Sequence, residues 1–254
     1  MLLAIDSGNT NIVFAVFDHD DTVLGEWRSS TDANRTADEF GIWLEQLMQL
    51  EGLTRDRINS AIIATVVPAT LFSLKTLVRK YFKCEPLVVG EPNVDIGIPV
   101  RAQQVGADRL VNALAAHEKY GGPLIVVDFG TATTFDVVDS DGGYCGGVIA
   151  PGVNLSSEAL HQAAAQLPRV AVERPETVIG TSTVPAMQSG IYWGYLSMVE
   201  GLISRIQAEY GEPMKVIATG GLSVLFADAT DAIHVTDPDL TLTGLVEIYR
   251  RNSR

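Results

Sequence analysis

Two similar segments, about half a chain apart, constrain this sequence more than any other feature. Residues 2–21 read LLAIDSGNTNIVFAVFDHDD, and residues 124–143 read LIVVDFGTATTFDVVDSDGG. Each segment has an apolar strand, an Asp-x-Gly turn, a second apolar strand and an acidic turn, with one residue of slippage by the end of the second strand. A β-turn-β unit repeated at this separation predicts duplicated α/β lobes rather than one long sheet. The predicted lobes are residues 1–117 and 118–254.

Apolar periodicity predicts helices and further strands around these two hairpins. Thr36 and Glu39 form a capping-box pattern, T-A-D-E, at the start of the first helix. The other helices are predicted near 71–82, from Asp108 to Gly121, and near 156–166, 184–210 and 242–251. The other strands are predicted near 22–28, 61–66, 86–89, 145–149 and 215–218.

Composition and charge exclude several classes of protein. The chain has 254 residues, 46% of them hydrophobic and 19% charged, which is ordinary for a globular protein. A net charge of −13 repels phosphate backbones and anionic lipid, so we expect neither nucleic acid nor a membrane as partner. Asp6 interrupts the N-terminal apolar run where a signal peptide would continue. Cys84 and Cys145 form no CxxC or zinc-like spacing, so we expect two reduced thiols in a cytoplasmic protein.

The turn at the end of the first strand carries residue types that suit a polyphosphate. Gly8 permits close approach of a ligand, and the Ser, Asn and Thr side chains around it supply uncharged donors. A carboxylate at the strand end, Asp6, can hold Mg²⁺ directly or through water. An ordinary turn explains the same residues, because Asp-x-Gly-Asn is common turn chemistry. Recurrence of the pattern at Asp128 and Gly130 favours the phosphate role, with both loops binding one polyphosphate from the two lobes.

The segment QVGADRL offers candidates for acceptor chemistry. Gly106 and Ala107 let the chain enter a helix with little steric bulk, which puts Asp108 and Arg109 at the helix start. An aspartate there can accept the proton of an attacking hydroxyl, and an arginine can bind a carboxylate in bidentate fashion. The alternative is a capping aspartate followed by a surface arginine.

Two further helix entries are candidates for ligand contact. ATGGLS (218–223) places paired glycines between a strand and a helix, where a base or ribose can lie against backbone, although a simple helix-start turn explains it nearly as well. Thr183, in GTSTVPAMQSG (180–190), can bind substrate or cap the helix. The sequence has no GxxxxGK[ST], GxGxxG or GxSxG motif, which excludes a P-loop enzyme and weighs against dinucleotide-binding and serine-hydrolase functions.

In this order, DSGNTN, GADR, DFGTATT, GGYCGGVIAPG, GTST and ATGGLS resemble the type III pantothenate kinases over essentially the whole chain. That family belongs to the superfamily of acetate and sugar kinases, Hsp70 and actin. The resemblance implies two ribonuclease H-like (actin-like) lobes of mixed sheets flanked by helices, with nucleotide between them, and a homodimer. It also implies ATP-dependent phosphorylation of pantothenate to 4'-phosphopantothenate, the first step towards coenzyme A.

The resemblance also implies roles for individual residues. Asp108 would accept the proton of the substrate hydroxyl, and Asp128 would bind the monovalent cation, K⁺ or NH₄⁺, that the family requires beside Mg²⁺. Residues implied to bind ATP are Asp6, Ser7, Gly8, Asn9, Thr10, Asn11, Ile12, Val13 and Thr131. Residues implied to bind pantothenate are Gly106, Ala107, Asp108, Arg109 and Thr183. Family members often carry a tyrosine ahead of GADR, whereas IGIPVRAQQVGADR has no aromatic residue, so we expect that side of the substrate pocket to be packed differently here.

Three alternatives remain open from the sequence. The chain can be another small-molecule kinase of the same superfamily, a nucleotide-binding regulatory homologue without turnover, or a scaffold whose turns are ordinary. The presence of Asp6, Asp108, Arg109 and Asp128 weighs against the second alternative. The paired loops weigh against the third.

Overall fold

Each copy of the repeated segment forms an antiparallel hairpin in the computed structural model, which describes residues 1–164 and 166–253. The first hairpin pairs β1 (Leu2–Ser7) with β2 (Asn11–Phe17), and the second pairs β6 (Leu124–Phe129) with β7 (Ala132–Val138). Asp6 lies opposite Val13, whereas Asp128 lies opposite Thr134, one position closer to its turn. The slippage between the repeats is therefore a turn that is one residue shorter in the second copy.

The two hairpins extend into two five-stranded mixed sheets of the same topology, which confirms the predicted duplication. The first sheet has the order β3 (Val23–Ser30), β2, β1, β4 (Ser60–Thr65) and β5 (Pro86–Val88). The second has the equivalent order β8 (Tyr144–Pro151), β7, β6, β9 (Lys215–Thr219) and β10 (Val235–Thr236). The first strand of each copy is central, antiparallel to its hairpin partner and parallel to the strand that follows a helix.

The acidic turns after the two hairpins also match in their hydrogen bonds. Asp18 Oδ1 accepts the backbone N–H groups of Asp20 and Thr22, both at 2.9 Å. Asp139 Oδ1 accepts those of Asp141 at 2.9 Å and Gly143 at 2.8 Å. An aspartate that bonds its own backbone in this way stabilises a turn without any ligand, so these acidic residues have a structural explanation.

Helices cover both faces of the first sheet. On one face are α1 (Ala37–Leu50) and α2 (Pro68–Leu77), the latter continued by a π-helical turn at Val78–Phe82. The predicted capping box of α1 is confirmed, because the Thr36 side chain accepts the Glu39 N–H and the Glu39 carboxylate accepts the Thr36 N–H. On the other face are α3 (Ala107–Tyr120) and the C-terminal helix, residues Leu240–Asn252. Because both faces are covered, β1 is apolar on both sides.

The second sheet buries one face against the long helix α5 (Thr183–Tyr210). The preceding helix α4 (Val153–Ala163) begins earlier than predicted, because Gly152 already has the extended conformation of an N-cap residue. The short helix α6 (Ser223–Ala227) begins after the glycines of ATGGLS, where the sequence predicts a helix entry, and β10, which the sequence did not predict, completes this unit. Among the described residues, none of the helices is both long and apolar enough to cross a bilayer.

Contacts group the chain differently from a single division between residues 117 and 118. The first unit comprises Met1–Ile98, Gln103–Ala115 and Leu240–Arg254, and the second comprises Pro99–Ala102 and Ala116–Asp239. The C-terminal helix, α7 (Leu240–Asn252), joins the first unit because its apolar side chains, including Leu245, are buried against that sheet. Gly244 allows the approach, since a Cβ there would lie 2.4 Å from the Val111 carbonyl oxygen of α3.

Candidate functional site

The turn between β1 and β2 is held by its own backbone and leaves polar side chains exposed. The Gly8 N–H donates to the Asn11 carbonyl at 3.0 Å, and Thr31 Oγ1 donates to the Gly8 carbonyl at 2.7 Å. The Thr31 N–H donates to the Thr10 carbonyl at 2.9 Å. Asn9, Thr10 and Asn11 are all exposed. The turn is therefore a fixed loop whose amide and hydroxyl side chains are accessible to an anionic ligand.

Alternation along β1 and β2 divides the other predicted ATP residues between the two faces of the sheet. Ser7 is buried on the α2 side, where its Oγ lies 2.9 Å from Thr70 Oγ1. Ile12 is buried in the core on that same side. Asp6 and Val13, which are partners in the ladder, are partly exposed on the other side. Within this set, Asp6 and the exposed turn are accessible, whereas the side chains of Ser7 and Ile12 are buried.

The second turn is packed between two glycines whose roles the sequence did not reveal. Gly130 and Thr131 are exposed, and the Gly152 N–H donates to the Thr131 carbonyl at 3.1 Å. A Cβ on Gly152 would lie 2.4 Å from that same carbonyl oxygen. Gly220, with φ +88°, directly follows β9 and lies close to the end of β6. A Cβ on Gly220 would lie 2.5 Å from Asp128 Oδ1. Both glycines fall in motifs noted in the sequence, but only the folded chain shows what each approaches.

The start of α3 brings a carboxylate and a guanidinium into adjacent positions. Asp108 is partly buried in the first turn of the helix, and its Oδ1 accepts the Arg109 backbone N–H at 2.8 Å. Gly106 makes room for this carboxylate, because a Cβ there would lie 2.7 Å from Asp108 Oδ1. Burial raises the pKa of Asp108, while the Arg109 N–H and the positive charge of Arg109 act in the opposite direction. A carboxylate with a raised pKa is a stronger proton acceptor than an exposed one.

Thr183 lies at the first position of α5, beside a largely apolar cavity. Ser182 precedes the helix in an extended conformation and makes no side-chain capping bond. The cavity, about 580 Å³, lies between α4 and α5 within the second unit. Its wall includes Tyr195, whose buried hydroxyl is hydrogen-bonded to Thr133 Oγ1 of β7. Burial raises the pKa of Tyr195, so this phenol stays protonated. This cavity can accommodate an apolar group but offers few polar partners.

The structure therefore distributes the predicted residues over the two units. The first unit holds residues 6–13 and 106–109, and the second holds Asp128, Thr131 and Thr183. Within the first unit, the Val66 N–H donates to the Ser7 carbonyl at 3.1 Å. The Val66 side chain also lies near Gly106, since a Cβ built on Gly106 would be 3.4 Å from Val66 Cγ1. Val66, in the β4–α2 connection, is thus bonded to the residue before the first turn and lies near the residue before α3.

Comparison with known proteins is consistent across sequence and structure. The family model for type III pantothenate kinase matches residues 2–205. A type III pantothenate kinase of Paramagnetospirillum magneticum is 68% identical over 100% of this chain and 98% of its own length. One from Rhodospirillum rubrum is 67% identical, with 99% of each chain covered. In fold, the chain is similar to the solved structure of a 2-dehydro-3-deoxygalactonokinase protein from Sinorhizobium meliloti. The TM-score is 0.62 at 16% identity, and the match covers 99% of this chain and 96% of the other. The chain belongs to the type III pantothenate kinase family.

Proposed function

We infer that this protein transfers the terminal phosphate of ATP to the terminal hydroxyl of pantothenate, the first step of coenzyme A biosynthesis. The full-length identity to type III pantothenate kinases supports this activity. The structural observation that carries it is the Asp108–Arg109 pair at the start of α3, in the unit that also contains the first Asp-x-Gly turn. Phosphorylation of an alcohol that bears a carboxylate requires a group that accepts the hydroxyl proton, here Asp108, and a group that binds the carboxylate, here Arg109.

The two Asp-x-Gly turns are proposed to bind the phosphates of ATP. Phosphoryl transfer needs positioning and charge neutralisation more than covalent participation by the protein. The exposed side chains of Asn9, Thr10 and Asn11 supply neutral donors in the first turn, and Thr131 supplies one in the second. Neutral donors matter because the chain carries a net charge of −13 and gives an anion no general attraction.

Asp108 is proposed to orient the pantothenate hydroxyl and to receive its proton as the new phosphorus–oxygen bond forms. Arg109 and Thr183 are proposed to bind the rest of the substrate, with the guanidinium facing the carboxylate. Gly106 serves this arrangement indirectly, since a Cβ there would lie 2.7 Å from Asp108 Oδ1 and would displace the carboxylate from its observed position.

Two cations complete the proposal. Asp6 and Asp128 are partly exposed carboxylates at the ends of equivalent strands, next to the two turns. Carboxylate oxygens suit hard cations, and we propose K⁺ or NH₄⁺ at Asp128 and Mg²⁺ beside Asp6. When bound, the cations would offset charge on the phosphate oxygens.

Pantothenate-dependent release of ADP tests the activity directly. We expect ADP to form from ATP and Mg²⁺ only when pantothenate and K⁺ or NH₄⁺ are both present. Acetate and simple sugars, offered in place of pantothenate, provide the control for a different kinase of the superfamily and should give no ADP. Binding of ATP without ADP release under the complete conditions would instead support a regulatory homologue.

The protein is further proposed to be a cytoplasmic homodimer. Free thiols at Cys84 and Cys145 are compatible with a reducing compartment. Five of the exposed apolar side chains of the second unit lie on or next to α4 and α5, which suits a surface that a second copy covers. These five are Leu155, Leu160, Val178, Ile179 and Val184.

Leu160→Asp should shift the molecular mass measured by light scattering from twice 27.3 kDa towards 27.3 kDa. The reason is that a charge at the edge of the α4–α5 cavity would be desolvated in the dimer. Phe72→Asp is the matched control, because Phe72 is 80% exposed on α2 in the other unit. A Leu160→Asp protein that keeps the dimer mass would remove this surface from the interface.

A further inference from the structure

We propose that Ser7 and Thr70 form a buried hydroxyl pair that positions the first phosphate turn, and that Ser7 does not itself contact phosphate. The inference rests on the proposed function, in which the turn at residues 8–11 binds ATP. Ser7 is the last residue of β1, immediately before that turn, and Thr70 lies in the first turn of α2. Their side chains are 0% and 1% exposed.

Burial and hydrogen bonding hold the Ser7 hydroxyl inside the protein. Thr70 Oγ1 lies 2.9 Å from Ser7 Oγ, 2.9 Å from the Val67 carbonyl oxygen and 3.4 Å from Thr65 Oγ1. These hydroxyls and the carbonyl therefore form one buried network on the α2 side of the sheet. Because Ser7 is 0% exposed there, its hydroxyl bonds within this network and a phosphate at the exposed turn does not reach it.

The pair ties the phosphate turn to the connection between β4 and α2. Thr65 Oγ1 accepts the Val67 N–H at 3.0 Å, and Thr70 Oγ1 lies 2.9 Å from the Val67 carbonyl oxygen. Val67 is therefore held at both its N–H and its carbonyl group. The Val66 N–H donates to the Ser7 carbonyl at 3.1 Å. Ser7 thus contacts this connection through its side chain and through its backbone.

The same connection runs near the start of the helix that carries the proposed proton acceptor. A Cβ built on Gly106 would lie 3.4 Å from Val66 Cγ1 and 2.7 Å from Asp108 Oδ1, so Val66 and the Asp108 carboxylate lie on either side of the space that Gly106 leaves open. Loosening the Ser7–Thr70 bond would therefore change the spacing between the turn that binds ATP and the helix that carries Asp108. Small errors in such spacing reduce the rate of a transfer that depends on alignment.

A double-mutant cycle distinguishes positioning from direct contact. Thr70→Val keeps the shape but removes the hydroxyl, and we expect kcat/KM for ATP to fall about tenfold because the turn that binds ATP is then held less precisely. Ser7→Ala should lower kcat/KM for ATP by a similar factor. The double variant should lower it by no more than either single variant does. Effects that multiply in the double variant would mean that Ser7 contacts ATP independently of Thr70.

Two further variants separate positioning from a general loss of stability. Thr70→Ser keeps the hydroxyl and should restore kcat/KM for ATP to near the wild-type value. Ser60→Ala, at the other end of β4, removes a hydroxyl that donates to the Met1 carbonyl and should leave both kcat and KM for ATP unchanged. If Thr70→Val lowers only the melting temperature and keeps kcat and KM, the pair is purely structural and the inference fails. A wild-type protein without pantothenate-dependent ADP release would reject the proposed function itself.

Discussion

Asp108→Asn is expected to lower kcat by about 10²-fold or more, the usual contribution of a general base. The amide has the size of the carboxylate but cannot accept the proton of the pantothenate hydroxyl. Arg109 and Gly106 are unchanged in the variant, so pantothenate affinity should be retained. Coupled measurement of ADP gives kcat, and calorimetric titration of pantothenate gives the affinity. Near-normal turnover would remove Asp108 from the proposed mechanism.

The stability of the same variant provides an independent check, because burial raises the pKa of Asp108 in the folded protein. An acid whose folded-state pKa lies above its unfolded value stabilises the fold most at pH values below the unfolded pKa. That contribution is lost as the pH rises through the folded-state pKa. Asparagine does not ionise, so Asp108→Asn should unfold at a temperature equal to or above that of wild type at neutral pH. The difference should disappear in acid, and a lower melting temperature at neutral pH would contradict the burial argument.

The hairpins and their turns were predictable because the relevant information is local. An apolar run, Asp-x-Gly and a second apolar run are contiguous in sequence, and their recurrence identified two equivalent units. The same holds for the capping box, where Thr36 and Glu39 are only one helical turn apart. The long helix Thr183–Tyr210 and the helix that starts beside Asp108 were also predicted close to their observed bounds.

Features that depend on distant neighbours were not predictable. The sequence does not show that Ser7 lies on the buried α2 side of β1, because β1 is apolar on both faces and period-two alternation gives no sign of which face Ser7 joins. The grouping of the C-terminal helix with the first unit depends on the burial of its apolar side chains against the first sheet, whose strands are far away in sequence. The short strand β10 has too few residues for any periodicity to be visible.

The role of Gly220 also depends on a residue distant in sequence, Asp128, and its substitution is the second change for which we expect a large effect. Gly220→Ala should reduce both stability and activation by K⁺, because alanine is strained at φ +88° and its Cβ would lie 2.5 Å from Asp128 Oδ1. A sparsely populated backbone conformation costs about 1–3 kcal/mol, and overpacking adds a similar amount. Melting temperature measures the first effect, and the K⁺ concentration for half-maximal ADP release, which should rise about tenfold or more, measures the second.

The clash in Gly220→Ala can be relieved by movement of β6 or by movement of the β9–α6 loop, which carries Gly220. The Cβ would also lie 2.8 Å from the backbone N and O atoms of Phe129, which belongs to a central strand held between β7 and β9. The central strand β6 is less able to move than the β9–α6 loop, so Gly220 should be the residue that is displaced. Its displacement should break the 2.8 Å hydrogen bond that Ser223 Oγ, at the start of α6, donates to the Gly220 carbonyl. Gly221→Ala is the matched control, since a Cβ there meets no atom within 4 Å. If both alanine variants retain wild-type K⁺ activation, close approach of the β9–α6 loop to Asp128 is not what forms the cation site.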